Sequence, residues 1–427
     1  MSGITPLVSH IKLPRFAKVH QEFPHCHEQL TQEQIAAILD AGFAREDLKS
    51  RIKPGMRVCI TCGSRGISNY PFVIKQIVEH VKALGAQPFM VPAMGSHGGA
   101  TAEGQRQVLA ALGITEETMG CPLLSSMETV AISHVEDFDV RIDKNAYGAD
   151  AIIAVNRVKA HTSFRGPYES GVMKILTIGL GKQYGAHTCH ARGDDEMSHR
   201  IGLIGTEVIH KANVIIGVAL LENAFDKTLD VVVMPGEEIP QREPALLTRA
   251  KEAMGHLHLP ECDILVVQQI GKEFSGSGAD PNVVGRGNPK LNVGIKSQRL
   301  VVCDLSEASH GNATGMGKFE LGTRRFFHKI DMDQTYPNCI TDYSPGGAKI
   351  PMIADNDREA MQAAVNTCLN IDYDNPRMII IKNSLEIGTI LVSESLLPQA
   401  RETEGMTVEG EPFELPFDEN GELLPCY

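Results

Sequence analysis

The sequence lacks any apolar run as long as a membrane span. Its first stretch, Met1 to Phe16, lacks the charged start, apolar stretch and small-residue cleavage site of an export signal. A cytoplasmic location is therefore expected. The chain is also short of positive charge: 40 Lys and Arg stand against 53 Asp and Glu, a formal net charge of -13. Such a surface repels phosphate backbones and anionic lipid, which argues against nucleic-acid and membrane partners. An anionic substrate would need a local positive pocket. No cysteine framework is present, since ten cysteines are scattered over 427 residues. Cys59 and Cys62 form a CxxC, but they lie in a strand-like VCITC, where positions three apart point to opposite faces. There is no internal repeat, and no GxGxxG opens a helix, so a nicotinamide-dependent dehydrogenase is poorly supported.

What is present is a repeated strand–loop–helix pattern. Met56 to Cys62 reads as a strand, followed by the turn Gly63-Ser64-Arg65-Gly66 and a helix over Pro71 to Leu84 that stops at Gly85. Pro88 to Pro92 is a second strand. It leads through GSHGG to a helix from Thr101 to Leu112, with Thr101 as N-cap and Gly113 as stop. Further strands are expected at Ala151–Val155, Asn213–Leu221, Arg299–Cys303 and Met378–Ile381, and helices at Glu243–Met254 and Arg358–Leu369. The pattern predicts an α/β protein of two domains with largely parallel sheets and an active site in the cleft between them. The spacing places the boundary near residue 262, giving domains 1–262 and 263–427. The stretch after Glu404 reads as an acidic, irregular tail or strap.

Ligands in open parallel sheets bind beyond the carboxyl ends of strands. Three segments fall there: the Arg65 turn, His97 in GSHGG, and His161 in KAHTSFRG. Imidazoles in glycine-containing loops suit proton exchange near neutral pH. Arg65 and nearby backbone amides suit a phosphate or carboxylate. Lys174 stands in an apolar stretch that runs on to His187 and His190, either of which could bind a metal such as nickel. Each residue alone also fits a plain loop or helix end. The later loop HGNATGMG, from His310, reads as flexible.

Taken in order, the Arg65 turn, GSHGG, KAH, SGVMK and a histidine sixteen residues beyond the lysine resemble the nickel-pincer lactate racemase family. The resemblance implies His97 and His161 as the acid/base pair. It implies Lys174 as the covalent attachment point of a nickel pincer nucleotide, through a thioamide. His190 would be the nickel ligand, and Arg65 the carboxylate anchor. The implied activity is inversion of C2 in a small anionic 2-hydroxy acid, in a protein served by cofactor biosynthesis proteins. Cys62 replaces an aspartate of the lactate-specific members, and the segment from His161 to Lys174 is a few residues longer. In the second domain, GKEFSGSGADPNVVGR offers Lys272 or Arg286 as the positive group. Ser275, Ser277, Asp280 and Asn282 in that loop suit a substrate with several hydroxyls, so an aldonic acid such as gluconate is favoured over lactate or malate. A non-catalytic nickel or cofactor carrier would share Lys174 and His190 but need neither His97 nor His161.

Overall fold

The computed structural model describes residues 3–64, 66–288 and 290–427. They form a mixed α/β protein that divides into two compact units. One unit is Pro24–Met254. The other joins the described residues up to Phe23 to Gly255–Tyr427. The division therefore differs from a single crossing near residue 262. The cause is the strand Phe16–Gln21, which pairs antiparallel with both Thr389–Ser393 and Met406–Phe413. The stretch after Glu404 is likewise more than a tail, because Met406–Phe413 is an edge strand of that sheet.

The Pro24–Met254 unit is built on five strands in the order Gln87–Pro92, Arg57–Cys62, Ala151–Arg157, Val214–Glu222, Thr228–Pro235. The first four are parallel and the last is antiparallel. Both faces are covered, as parallel sheets require. Val58, Ile60, Ile153, Val155 and Val218 enter one core; Cys59, Val91, Ile152, Ala154 and Ala219 enter the other. Cys59 and Cys62 thus lie in different cores. The helix Tyr70–Ala83 buries Val73, Ile74, Ile77, Val78 and Val81, the apolar stripe read from the sequence. The helix Ala102–Ala111 begins where the Thr101 side chain accepts from the Gly104 amide at 3.0 Å.

The other unit carries an eight-stranded sheet. Met352–Ala354, Leu321–Thr323, Arg299–Leu305, Ile264–Ile270 and Met378–Ile381 run parallel, and the remaining strands are antiparallel. No helix among the described residues is long and apolar enough to cross a membrane.

Candidate active site

His97 follows the strand Gln87–Pro92 in a turn that only glycine can make. Gly98 has φ of +66°, and a Cβ there would lie 2.4 Å from the Gly104 carbonyl carbon. Gly95, at φ +60°, packs against Ile178 and Ala186, and its amide donates to the Gly179 carbonyl at 3.3 Å. The His97 turn is therefore seated on the segment that runs from Lys174 to His190. The His97 Nδ1 lies 2.7 Å from the Met94 carbonyl oxygen. A carbonyl can only accept, so the proton sits on Nδ1, and Nε2 is the basic nitrogen of the neutral ring.

His161 follows the strand Ala151–Arg157, and its ring is held in the other tautomer. The Ser163 amide donates to its Nδ1 at 3.2 Å, which places the proton of the neutral ring on Nε2. Glu169 anchors this loop from within. One carboxylate oxygen accepts from the His161 amide at 2.7 Å, and the other accepts from Lys251 at 2.6 Å. Burial, followed by the positive charges of Lys174, His190, Arg165 and Lys159, holds the His161 imidazole well below its ordinary pKa. The same charges make a local positive field in an acidic protein.

Lys174 ends the short helix Val172–Lys174, which continues as a π-helical turn, Ile175–Gly179. Such turns recur at functional sites because they re-aim a side chain. The Lys174 Nζ lies 5.8 Å from the centre of the Phe164 ring, and the His161 ring centre lies 4.1 Å from it. His190 is the last residue of the helix Lys182–His190, while His187 on that helix is exposed. The structure thus brings His161, Lys174 and His190 together and seats the His97 turn on the same segment. Arg65 lies outside the described residues.

Reading the sequence alone missed the buried groups that shape this arrangement. Glu243 is one. Its carboxylate accepts from the Met173 amide at 2.9 Å, beside Lys174. A Cβ on Gly171 would fall 2.3 Å from its Oε1, so the glycine of SGVMK is there to admit this carboxyl. Burial pushes Glu243 up to about 7. A raised carboxyl favours the folded state fully only below its unfolded value and loses that benefit as pH rises through 7. Glu243→Gln keeps an acceptor for Met173 but cannot ionise. At pH 8 the variant is expected to be more stable than the parent by about 3 kcal/mol, with the gap closing by pH 5. Denaturant unfolding at the two pH values measures this, and equal gaps at both would refute the account.

Lys272 and Arg286 belong to the other unit. Lys272 donates to the Gly276 carbonyl at 2.6 Å. Arg286 donates to the Ser297 and Gln298 carbonyls and pairs with Glu320 at 3.3 Å. Their loop faces inward. Ser275, Asp280 and Asn282 are buried, and Asp280 accepts from the Asn282 amide and side chain. That unit also holds a crevice of about 440 Å³, lined by Gln268, Asp304, Arg325 and Lys382 among others, and it contains none of the expected site residues. Among the described residues, no three His, Cys, Asp or Glu side chains gather as a metal cluster.

Residues 52–235 match a family model described as a domain of unknown function, DUF362. No curated protein gives a significant match. Among solved structures, the chain is similar to the lactate racemase apoprotein from Thermoanaerobacterium thermosaccharolyticum. The identity is 12%, the match covers 87% of this chain and 99% of that one, and the TM-score is 0.49.

Proposed function

We propose that this chain is an isomerase that inverts C2 of a small 2-hydroxy acid, with a nickel pincer nucleotide attached to Lys174 and ligated by His190. The observation that carries the reading is the meeting of His161 and Lys174 at Phe164, with His190 in electrostatic reach of His161, on the segment that also seats the His97 turn. The donor set fits the group. An amine and imidazole nitrogens suit covalent attachment and a nickel centre. The nearby Cys189 is buried, which pushes its thiol up to about 12.

When bound, the nucleotide supplies a reversible acceptor for the C2 hydride. The protein's part is to bind, orient and move protons. Lys159 and Arg165 contribute positive charge beside His161 that draws in the substrate carboxylate, with Arg65 as its anchor. His97, basic at Nε2, accepts the hydroxyl proton of one enantiomer. His161, once it has taken up a second proton as an imidazolium, returns one from Nε2 to the product oxygen as the alcohol of the other hand forms, and is left neutral. The two histidines thus take complementary roles. A carrier that only stored the cofactor would need neither.

The substrate class remains 2-hydroxy acids at large, with an aldonate such as gluconate set beside lactate and malate. The test is proton NMR of these acids in D2O with cofactor-loaded protein. The expected result is a C2 epimer that keeps its C2 hydrogen. Solvent deuterium at C2 in every product would reject hydride return. Lys174→Ala is expected to remove the cofactor's added mass from the intact protein. Retention of that mass would move the attachment elsewhere.

A further inference from the structure

Beneath the His97 turn lies a buried polar chain that the proposed reaction does not itself require. Lys182 is enclosed, with a side chain 1% exposed, and pairs at 3.1 Å with the fully buried Asp143. Its backbone has φ of +55°, a left-handed conformation that a non-glycine residue adopts only when its surroundings demand it. Its ammonium donates to the Pro92 carbonyl, at the end of the strand that leads to His97, and to Gln105 Oε1 at 3.2 Å. The same Gln105 side chain, also buried, donates from Nε2 to the Gly95 carbonyl at 2.8 Å and to the His97 carbonyl at 3.3 Å.

We propose that Gln105 is a positioning residue for His97, oriented by the Lys182–Asp143 pair. Donors and acceptors fix the orientation of the amide. An amide can turn either end toward the turn. Lys182 has only protons to give, so it claims the amide oxygen and leaves the NH2 facing two carbonyls. Those carbonyls flank the residue whose ring must stay aimed. Gly95, Gly98 and Gly99 all have positive φ and make the turn easy to deform, so the aim depends on such ties. This inference rests on the reading of His97 as an acid/base group, but the tie itself can be measured without cofactor or substrate.

Gln105→Glu separates the two ends. It keeps an acceptor for Lys182 and removes both donors to the turn. Gln105→Met, of similar volume, removes both ends and serves if the glutamate disturbs folding. Hydrogen exchange of the apoprotein, followed by mass spectrometry, is expected to quicken about tenfold over residues 94–99, since each lost tie is worth up to about that factor. Exchange over 175–190 should hold. In the loaded protein, kcat should fall with KM and the Lys174-bound mass unchanged. Unchanged exchange at 94–99 in the folded variant overturns the proposal. A parent protein that inverts no 2-hydroxy acid would instead remove the functional reading and leave the exchange result standing.

Discussion

Replacing His161 with Ala is expected to slow C2 inversion by about 10²–10⁴-fold, the usual contribution of a placed acid or base. His97→Ala should do the same. The two losses should not multiply, because inversion needs one proton taken and one returned in every turnover. Removing either group already stalls the cycle, so the double variant should resemble the slower single one. The added mass on Lys174 should persist in all three variants, which separates lost proton transfer from lost cofactor. pH adds a second handle. His161 is held neutral well below its ordinary range by burial and by Lys174 and its other cationic neighbours. As the acid it must first take up a proton, so the share of the rate that it supplies should grow as pH falls below about 6.5, the ordinary imidazole value. If both alanine variants keep near-normal rates, the acid/base assignment fails.

Much of the Pro24–Met254 unit was legible because its elements carry their own signals. Val73, Ile74, Ile77, Val78 and Val81 repeat at helical spacing, and Thr101 and Gly113 bracket the next helix. Strands such as Ile152–Val155 are apolar throughout because both faces of a parallel sheet are covered. The missed elements are those whose pattern depends on distant partners. Phe16–Gln21 reads FAKVHQ, with two exposed or half-exposed polar side chains, and becomes a strand by pairing with Thr389–Ser393 and Met406–Phe413 nearly 400 residues away. No local periodicity announces that pairing, so the sequence alone leaves Phe16–Gln21 with the residues that follow it.

The site divides along the same line. Histidines in glycine-containing loops, such as His97 and His161, advertise themselves. The supporting groups do not advertise themselves. Glu169, Glu243 and Lys182 belong to no motif of their own, and their tasks become visible only once burial removes water as a partner. The one local hint was Gly171, whose missing Cβ makes room for Glu243. Ser275, Asp280 and Asn282 show the opposite relation. There polar composition suggested a substrate surface, but the side chains satisfy buried loop amides and one another.

Lys182→Met should be the most destabilising change near the site. It preserves the length of the side chain and removes the charge, leaving Asp143 buried with no cation. Breaking one half of a buried pair costs about 3–5 kcal/mol, because the remaining charge keeps its desolvation cost without its partner. Burial already pushes the Asp143 carboxyl up, and Lys182 is the largest opposing influence. Without Lys182 that carboxyl rises further. A raised carboxyl loses its benefit as pH rises, so the variant should be weakest at pH 8 and recover toward pH 5 as Asp143 takes up a proton. Adding Asp143→Asn should restore much of the loss at pH 8. The asparagine removes the charge yet keeps the oxygen that accepts from the Asn145 and Ala146 amides at 2.8 and 2.9 Å. Denaturant unfolding of the two single variants and the double variant gives the coupling directly. A double variant as unstable as the sum of the singles would mean that the pair is not the unit of stability, and that Lys182 acts through the Pro92 carbonyl alone.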